Sequence, residues 1–351
     1  MSTDVDVIVV GGGPVGLAAA IEARLAGLSV TIVEPREGTI DKACGEGLMP
    51  GAIPLLERLG VRPQGMPLRG VSYRARGRVA DHRFATGEGL GVRRLVLHDA
   101  LRLRAEELGV GRVRERVTSV HQGRDSVIVA GLHGRYLLAA DGLHSTVRRA
   151  VGLESAASRF GRRGAPGGRG QRFGLRQHFR VAPWNDFIEV HWSEGVEAYI
   201  TPVAPDIIGL AMLGARGTDF DETLAKLPEL RDRLAGAEPA SSLRGAGVLR
   251  QRALRPSAGR VLLVGDASGY VDAITGEGLR LGFEQASVAV ASIVAGAPGG
   301  YDAEWRRVTR DFRVLTTGLV VAASSPLRGA IVPFAARMPR LYGAVVERLA
   351  R

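Results

Sequence analysis

Cysteine is almost missing from this chain: Cys44 is the only one among 351 residues. No internal disulfide can form, so a reducing, cytoplasmic setting is expected. Lysine is nearly as scarce. Lys42 and Lys226 are the only two among 47 basic residues, which leaves 45 arginines and a net charge of +11. That bias points to codon composition rather than to a nucleic-acid surface. The arginines are scattered, with clusters at 74–83 and 159–172, and aromatics make up only 5% of the chain. Without aromatics between the arginines, no nucleic-acid partner is expected. A weak attraction to membrane surfaces or anionic substrates stays open. Long apolar runs are lacking too. Residues 318–338 come nearest to a membrane span, and Ser324, Ser325, Pro326, Arg328, Pro333 and Arg337 interrupt them. Residues 1–6 carry two acids and no basic region, so no signal peptide is expected. Internal repeats are absent and no metal is expected. The oligomeric state is left open.

What is present suits one large domain or two coupled ones, with 45% apolar residues and ample core. Val7-Ile8-Val9-Val10 reads as a strand buried on both faces. The turn Gly11-Gly12-Gly13-Pro14-Val15-Gly16 follows, and then a helix from Leu17 to Leu25. The spacing is G-x-G-x-x-G. Gly11 allows a tight turn, Gly13 lets a pyrophosphate approach the backbone, and Gly16 lets the helix lie close to the strand. The helix N-terminus then offers free N–H groups and a positive dipole end to phosphate. Residues 28–34 read as a second strand ending in Glu34, where a carboxylate can accept from ribose hydroxyls. Pro35 and Arg36 follow it and belong to the same site. A dinucleotide cofactor is expected.

Further along, 37–50 is a glycine-rich loop, and 52–59 a short helix closed by Gly60. Weak alternation over 71–90 suggests two strands. Apolar spacing over 95–108 predicts a helix capped by Gly109. Residues 117–120 and 127–130 flank Gly123-Arg124-Asp125 as a hairpin. Buried strands end at Asp141-Gly142 and at Gly265-Asp266. Five Arg and five Gly at 158–172 predict a flexible domain boundary. Four short runs between 173 and 214 predict an antiparallel sheet, 219–235 a helix, and 278–295 another, with a mostly helical remainder. The nucleotide-binding strands are thus separated by a sheet-rich insertion, as in an FAD domain made of several chain segments. The expected class is α/β: a segmented Rossmann-like FAD-binding domain, an inserted antiparallel-sheet substrate domain and a helical C-terminus. The segments are FAD-binding at 1–70, 93–157 and 251–297, substrate-binding at 71–92 and 173–250, and helical at 298–351.

Three stretches in order resemble a known family. Gly11–Gly16, Ala140-Asp141-Gly142-Leu143-His144-Ser145-Thr146-Val147-Arg148 and Gly265-Asp266-Ala267-Ser268-Gly269-Tyr270 are similar to the fingerprints of single-component flavoprotein hydroxylases with the p-hydroxybenzoate hydroxylase-like fold. Two details look closer to the geranylgeranyl reductase branch. Lys42-Ala43-Cys44-Gly45-Glu46-Gly47 is similar to its K-x-C-G-G-G loop, with Glu46 where that branch has glycine. Residues 265–279 are similar to its G-D-A-A-G-x-x-x-P-x-x-G-E-G-I, with Ala273 in place of proline. Tyr199-Ile200-Thr201-Pro202 lacks the tryptophan of the branch's W-x-F-P segment.

The resemblance implies FAD as cofactor and NAD(P)H as a transient reductant, since no second G-x-G-x-x-G is present. It implies that Asp266 holds ribitol or sugar hydroxyls, although a helix N-cap would also suit that residue. Gly276-Glu277-Gly278 and Leu279 begin a helix whose N-terminus would face the pyrimidine edge of the flavin; Glu277 itself reads equally as a first-turn acid. Asp141 would support the pyrophosphate loop, serve NAD(P)H or be structural. Arg94, with Leu97 and Leu101 after it, resembles an FAD-contacting R-x-x-[FL]-D-x-x-L in which His98 replaces the acid. The loop carrying Lys42, Cys44 and Gly45 would lie against the flavin. Cys44, Glu46, His191 and Tyr199 are the pocket candidates for catalysis, with core packing as the plainer alternative for His191 and Tyr199. On a strand His191 and Trp192 face opposite ways, so at most one of them lines the pocket. The implied function is an FAD-dependent monooxygenase that hydroxylates or epoxidises an apolar small molecule of secondary metabolism with O₂, through a flavin C4a-hydroperoxide. The alternatives are saturation of isoprenoid C=C bonds and a non-catalytic flavin sensor.

Overall fold

The computed structural model of the chain describes residues 3–155 and 171–351. The boundary expected at 158–172 therefore lies outside the described residues, except for 171 and 172, and Arg172 already opens a strand.

Apolar runs without alternation build a sheet covered on both faces. Val5–Val10 pairs in parallel with Val30–Val33 on one side and with Leu132–Ala139 on the other. Leu132–Ala139 pairs in parallel with Val261–Leu263, and Val30–Val33 with Gly111–Val113. In register, Val10 stands beside Ala139 and Ala139 beside Leu263. The segments after these residues, at Gly11, Ala140 and Gly265, thus leave neighbouring strands at one end of the sheet. That is the carboxyl end, where open parallel sheets bind ligands. The helix Pro14–Leu25 covers one face, with Pro14 in its first turn. Ala18, Ala19, Ala20 and Ile21 are fully buried there, in one core with Phe283 and Ala286 of the helix Gly278–Val294 and Leu97 of the helix Arg94–Glu107. Each large side chain buried so completely contributes roughly 1.5–3 kcal/mol at most.

A second sheet runs in the order Glu238–Pro239, Arg172–Arg180, Ile207–Ala215, Glu197–Ala204, Phe187–Trp192, Gly70–Ala75 and Arg78–Arg83. Its pairs are antiparallel except one: Phe187–Trp192 lies parallel to Gly70–Ala75. The parallel joint arises because Gly70–Arg83 arrives from a distant chain segment rather than through a hairpin. A small third sheet joins Gly47–Leu48, Gly89–Gly91 and Met66–Leu68.

Two sequence expectations fail locally. The hairpin around residues 123–125 uses His121–Gln122 and Val127–Val129, not 117–120. Residues 219–235 form two helices, Phe220–Ala225 and Pro228–Arg233, because Pro228 has no N–H to continue the first one and bars helical geometry at Leu227 (φ −115°, ψ 75°). At the C-terminus, Tyr301–Ala323, Ile331–Arg337 and Pro339–Ala350 are helical, and no single described helix is long and apolar enough to cross a membrane. The last helix buries Tyr342 and Val346 against the second sheet, and Leu349 against Leu281 and Phe312 of the helices Gly278–Val294 and Tyr301–Ala323.

Candidate active site

Backbone geometry at the first turn excludes side chains. Gly11 has φ +105°, and a Cβ there would stand 2.5 Å from the Ala140 carbonyl oxygen. A Cβ at Gly16 would stand 1.8 Å from the Gly11 carbonyl oxygen, so the helix start rests directly on the turn. Gly13 differs: a Cβ there would meet no protein atom within 4 Å and would project into the cleft. This is a cradle in which the bare backbone faces a ligand at a helix N-terminus.

Glu34 ends its strand almost fully buried, at 2% exposure. Its Oε2 accepts from the Gly12 N–H at 2.8 Å, and its Oε1 from the Arg36 N–H at 3.1 Å and Nε at 2.7 Å. Burial pushes its carboxyl up, but the Arg36 and Gly12 hydrogen bonds outweigh burial and hold it below the ordinary value. On the other side of the turn, buried His98 places Nε2 2.8 Å from the Gly12 carbonyl. Burial pushes its pKa down, so the ring is neutral with the proton on Nε2, donating to Gly12. The same short turn is therefore held from both its N–H and its C=O side. The departure of His98 from the family pattern was visible in the sequence, but its function required the fold.

The other two fingerprints converge on the same end of the sheet. Asp141 accepts from the Thr146 and Val147 N–H groups at 2.7 and 3.1 Å, capping the short helix Thr146–Ala150. Burial raises its pKa. Arg148, fully buried, donates to the carbonyls of Leu143 and Ala267, both at 2.9 Å. It thereby ties the second fingerprint to the third, a role that sequence reasoning missed although the arginine closes the motif. Asp266 does not cap the 3-10 turn Gly265–Ser268; it pairs with Lys42 Nζ at 3.1 Å, so two expected cofactor contacts from distant segments meet. Gly276, Gly278 and Leu279 line the cleft at the N-terminus of the helix Gly278–Val294. Glu277 turns away into the core, where it bonds Arg280 and burial pushes its pKa up to about 7.

Arg94 opens its helix, and its backbone N–H donates to Glu46 Oε1 at 2.8 Å. The other oxygen of Glu46 lies 2.6 Å from His178 Nε2. Cys44 is half-buried, and its sulfur accepts from the Glu46 N–H at 3.4 Å. The Tyr199 hydroxyl donates to the Ile274 carbonyl at 2.9 Å. His191 does not line the cleft: it lies on the opposite face of its strand from Ile188 and Val190, 2.9 Å from Glu189. Trp192 shares the face of Val190 but packs on Tyr73, with ring centroids 5.4 Å apart.

These parts enclose one cleft of about 1180 Å³. It is lined by Gly11, Gly13, Pro14, Val15, Glu34, Pro35, Arg36, Lys42, Cys44, Gly45, Glu46, Arg94, Asp141, Tyr199, Gly265, Asp266, Gly276, Gly278 and Leu279. Gly16, behind the turn, is not among the lining residues, in keeping with its packing role. The cleft continues over the second sheet, where Val71, Ile188, Val190, Ala211 and Leu213 line it, and reaches Val346 and Leu349 of the last helix. Arg94 Nε and Asp141 Oδ1 are buried in its wall without a hydrogen-bond partner. Two helix N-termini, a glycine cradle and unpaired polar atoms fit an extended ligand bearing phosphates and hydroxyls, as FAD is.

Comparison with known proteins agrees. The model of an FAD binding domain matches residues 4–163. A menaquinone reductase of Mycolicibacterium smegmatis is 28% identical over 342 residues, covering 87% of this chain and 80% of that protein. A 12-dehydrotetracycline 5-monooxygenase/anhydrotetracycline 6-monooxygenase of Streptomyces rimosus subsp. rimosus is 29% identical over 326 residues, covering 80% of this chain and 61% of that protein. In fold, the chain is similar to p-nitrophenol 4-monooxygenase from Pseudomonas putida DLL-E4, with TM-score 0.80 at 21% identity, covering 100% of this chain and 99% of that one. With three fingerprints around one cleft and these likenesses, the chain carries an FAD-binding domain, is similar to the FAD-dependent monooxygenases and geranylgeranyl reductase-like flavoproteins, and is an FAD-dependent oxidoreductase.

Proposed function

We propose that the protein is a monooxygenase that takes electrons from NAD(P)H and inserts one oxygen atom of O₂ into an apolar small molecule of secondary metabolism. FAD, when bound, supplies the redox and oxygen-activating chemistry. Gly13, Glu34, Arg94, Lys42 and Asp266 would hold it, and Cys44 and Gly45 would lie along it. The remaining task of the chain is to orient the substrate and keep water out.

The observation that carries this reading is how the proton-bearing side chains are used. Saturation of a C=C bond needs a proton for the second carbon, whereas oxygen insertion needs a dry chamber. Of the four candidate donors, three are engaged elsewhere. The Glu46 carboxylate accepts from the Arg94 N–H and meets His178. Tyr199 gives its proton to Ile274. His191 is bound to Glu189 off the cleft. The walls over the second sheet are apolar, which suits a neutral apolar substrate. A second reading, C=C saturation, is favoured by one observation: the Cys44 thiol lines the cleft and carries a transferable proton. The menaquinone reductase relative is likewise named a reductase rather than a monooxygenase. A screen of polyketides, terpenoids and indoles for ligand-dependent NAD(P)H oxidation tests the proposal. Hits should consume O₂ in step with product; product formed without O₂ uptake would favour the second reading.

A further inference from the structure

Glu46 has a backbone that its side chain type disfavours. Its φ is +60°, one of three positive values outside glycine among the described residues. There the Cβ of an L-residue crowds the following carbonyl. The side chain is nevertheless buried, at 4% exposure. Its carboxylate bridges separate parts of the fold: the Arg94 backbone N–H at 2.8 Å and His178 Nε2, on the second sheet, at 2.6 Å. Arg176 of the same strand lies 3.9 Å away. His178 is itself 2% exposed. Its Nδ1 lies 2.9 Å from the Ser241 hydroxyl and 3.2 Å from the Arg176 guanidinium, both able to donate. The ring can then accept at Nδ1 and donate from Nε2 to Glu46. Space has been kept for this contact, since a Cβ at Gly209 would stand 3.1 Å from Glu46 Oε2. A second tie runs alongside: the Thr201 hydroxyl donates to the Gly45 carbonyl at 2.8 Å.

We propose that Glu46 is a positioning residue. By joining the Arg94 N–H to His178, it fixes residues 42–47, and with them Cys44 and Gly45, against the cofactor site and registers the substrate sheet upon them. Glycine would suit the backbone better, but it would leave His178 facing no carboxylate, whereas Arg176 would keep its pair with Asp41. The strained conformation is retained because the buried bridge depends on the side chain.

The test compares E46G, H178A and H178Q in the FAD-free and FAD-loaded protein. E46G relaxes the backbone, so its FAD-free melting temperature should hold or fall only slightly. Its amides at 43–47 should nonetheless exchange faster, its Kd for FAD should rise about tenfold, the scale of one lost charged hydrogen bond, and the visible absorption bands of bound flavin should change shape. H178A should reproduce the exchange and flavin changes. H178Q retains an N–H donor toward Glu46 and should restore both. Wild-type exchange, Kd and flavin spectrum in E46G and H178A would overturn the proposal. H178Q as impaired as H178A would overturn it too, since bulk rather than the donated proton would then matter. If E46G does not fold, the two His178 variants decide alone. None of these readouts depends on whether oxygen reaches the product.

Discussion

Replacing Glu34 by alanine tests the adenosine end of the site in two separable ways. In the FAD-free protein, truncation leaves the Gly12 N–H, now 2.8 Å from Glu34 Oε2, without its acceptor in a buried turn. An orphaned buried donor costs about 1–3 kcal/mol. The Arg36 side of the contact adds little, at most ~1 kcal/mol, because that side chain is 59% exposed and screened by water. Melting should therefore fall by several degrees at ~2–4 °C per kcal/mol. FAD binding should weaken by a further ~1–3 kcal/mol, or ~5- to 150-fold in Kd, for the lost ribose hydrogen bonds to a charged acceptor. Glu34→Gln keeps an oxygen toward Gly12 and should lose less on both counts. Acid adds a sign. The carboxyl of Glu34 is held below its ordinary value, so its stabilisation is present above pH ~4.5 and is lost as pH falls through the lower folded pKa. That acid component should vanish in Glu34→Gln. Calorimetry and fluorescence titration with FAD measure both effects. Lowered melting with an unchanged Kd would refute the ribose contact while leaving the turn contact intact.

Gly16→Ala places a Cβ 1.8 Å from a backbone oxygen that cannot step aside, so the variant should purify without chromophore or not fold, as absorbance and circular dichroism will show. The carboxyl of Glu277, pushed up to about 7 by burial, contributes stability that is full below pH ~4.5 and lost as pH rises through 7; Glu277→Gln should flatten that slope in melting curves between pH 5 and 8. Cys44 is the only thiol in the chain and lines the cleft, so one equivalent of a thiol reagent should label the FAD-free protein, and saturating FAD should slow labelling at least tenfold in proportion to site occupancy. Labelling at the same rate with and without FAD would place the loop away from the cofactor.

Much of this site was legible from local pattern. Strand, glycine turn, helix and terminal acid are consecutive, so Gly11, Gly13, Gly16 and Glu34 could be placed without knowing the fold. The ordered fingerprints similarly pointed to Asp141, Asp266 and Gly278. What escaped was whatever depended on contact between distant segments. The roles of His98 beneath the turn, Arg148 between two fingerprints and His178 against Glu46 become visible only when strands far apart in sequence become neighbours. Val346 and Leu349 line the cleft from a C-terminal stretch that the sequence marked only as helical. The period-two rule put His191 and Trp192 on opposite faces, as observed, but it could not say that the cleft stops at Val190. The parallel pairing of Phe187–Trp192 with Gly70–Ala75 was hidden for the same reason, since register between remote strands leaves no local mark.

The side chains around the cleft, already committed to hydrogen bonds, leave it suited to oxygen insertion rather than to proton delivery. The direct measurement is mass spectrometry of the product made by FAD-loaded enzyme with NAD(P)H and an accepted substrate under ¹⁸O₂, paired with the same reaction under argon. One ¹⁸O atom in the product and no turnover under argon are expected. A product two hydrogens heavier, formed under argon and free of label under ¹⁸O₂, would contradict oxygen insertion and identify a C=C reductase.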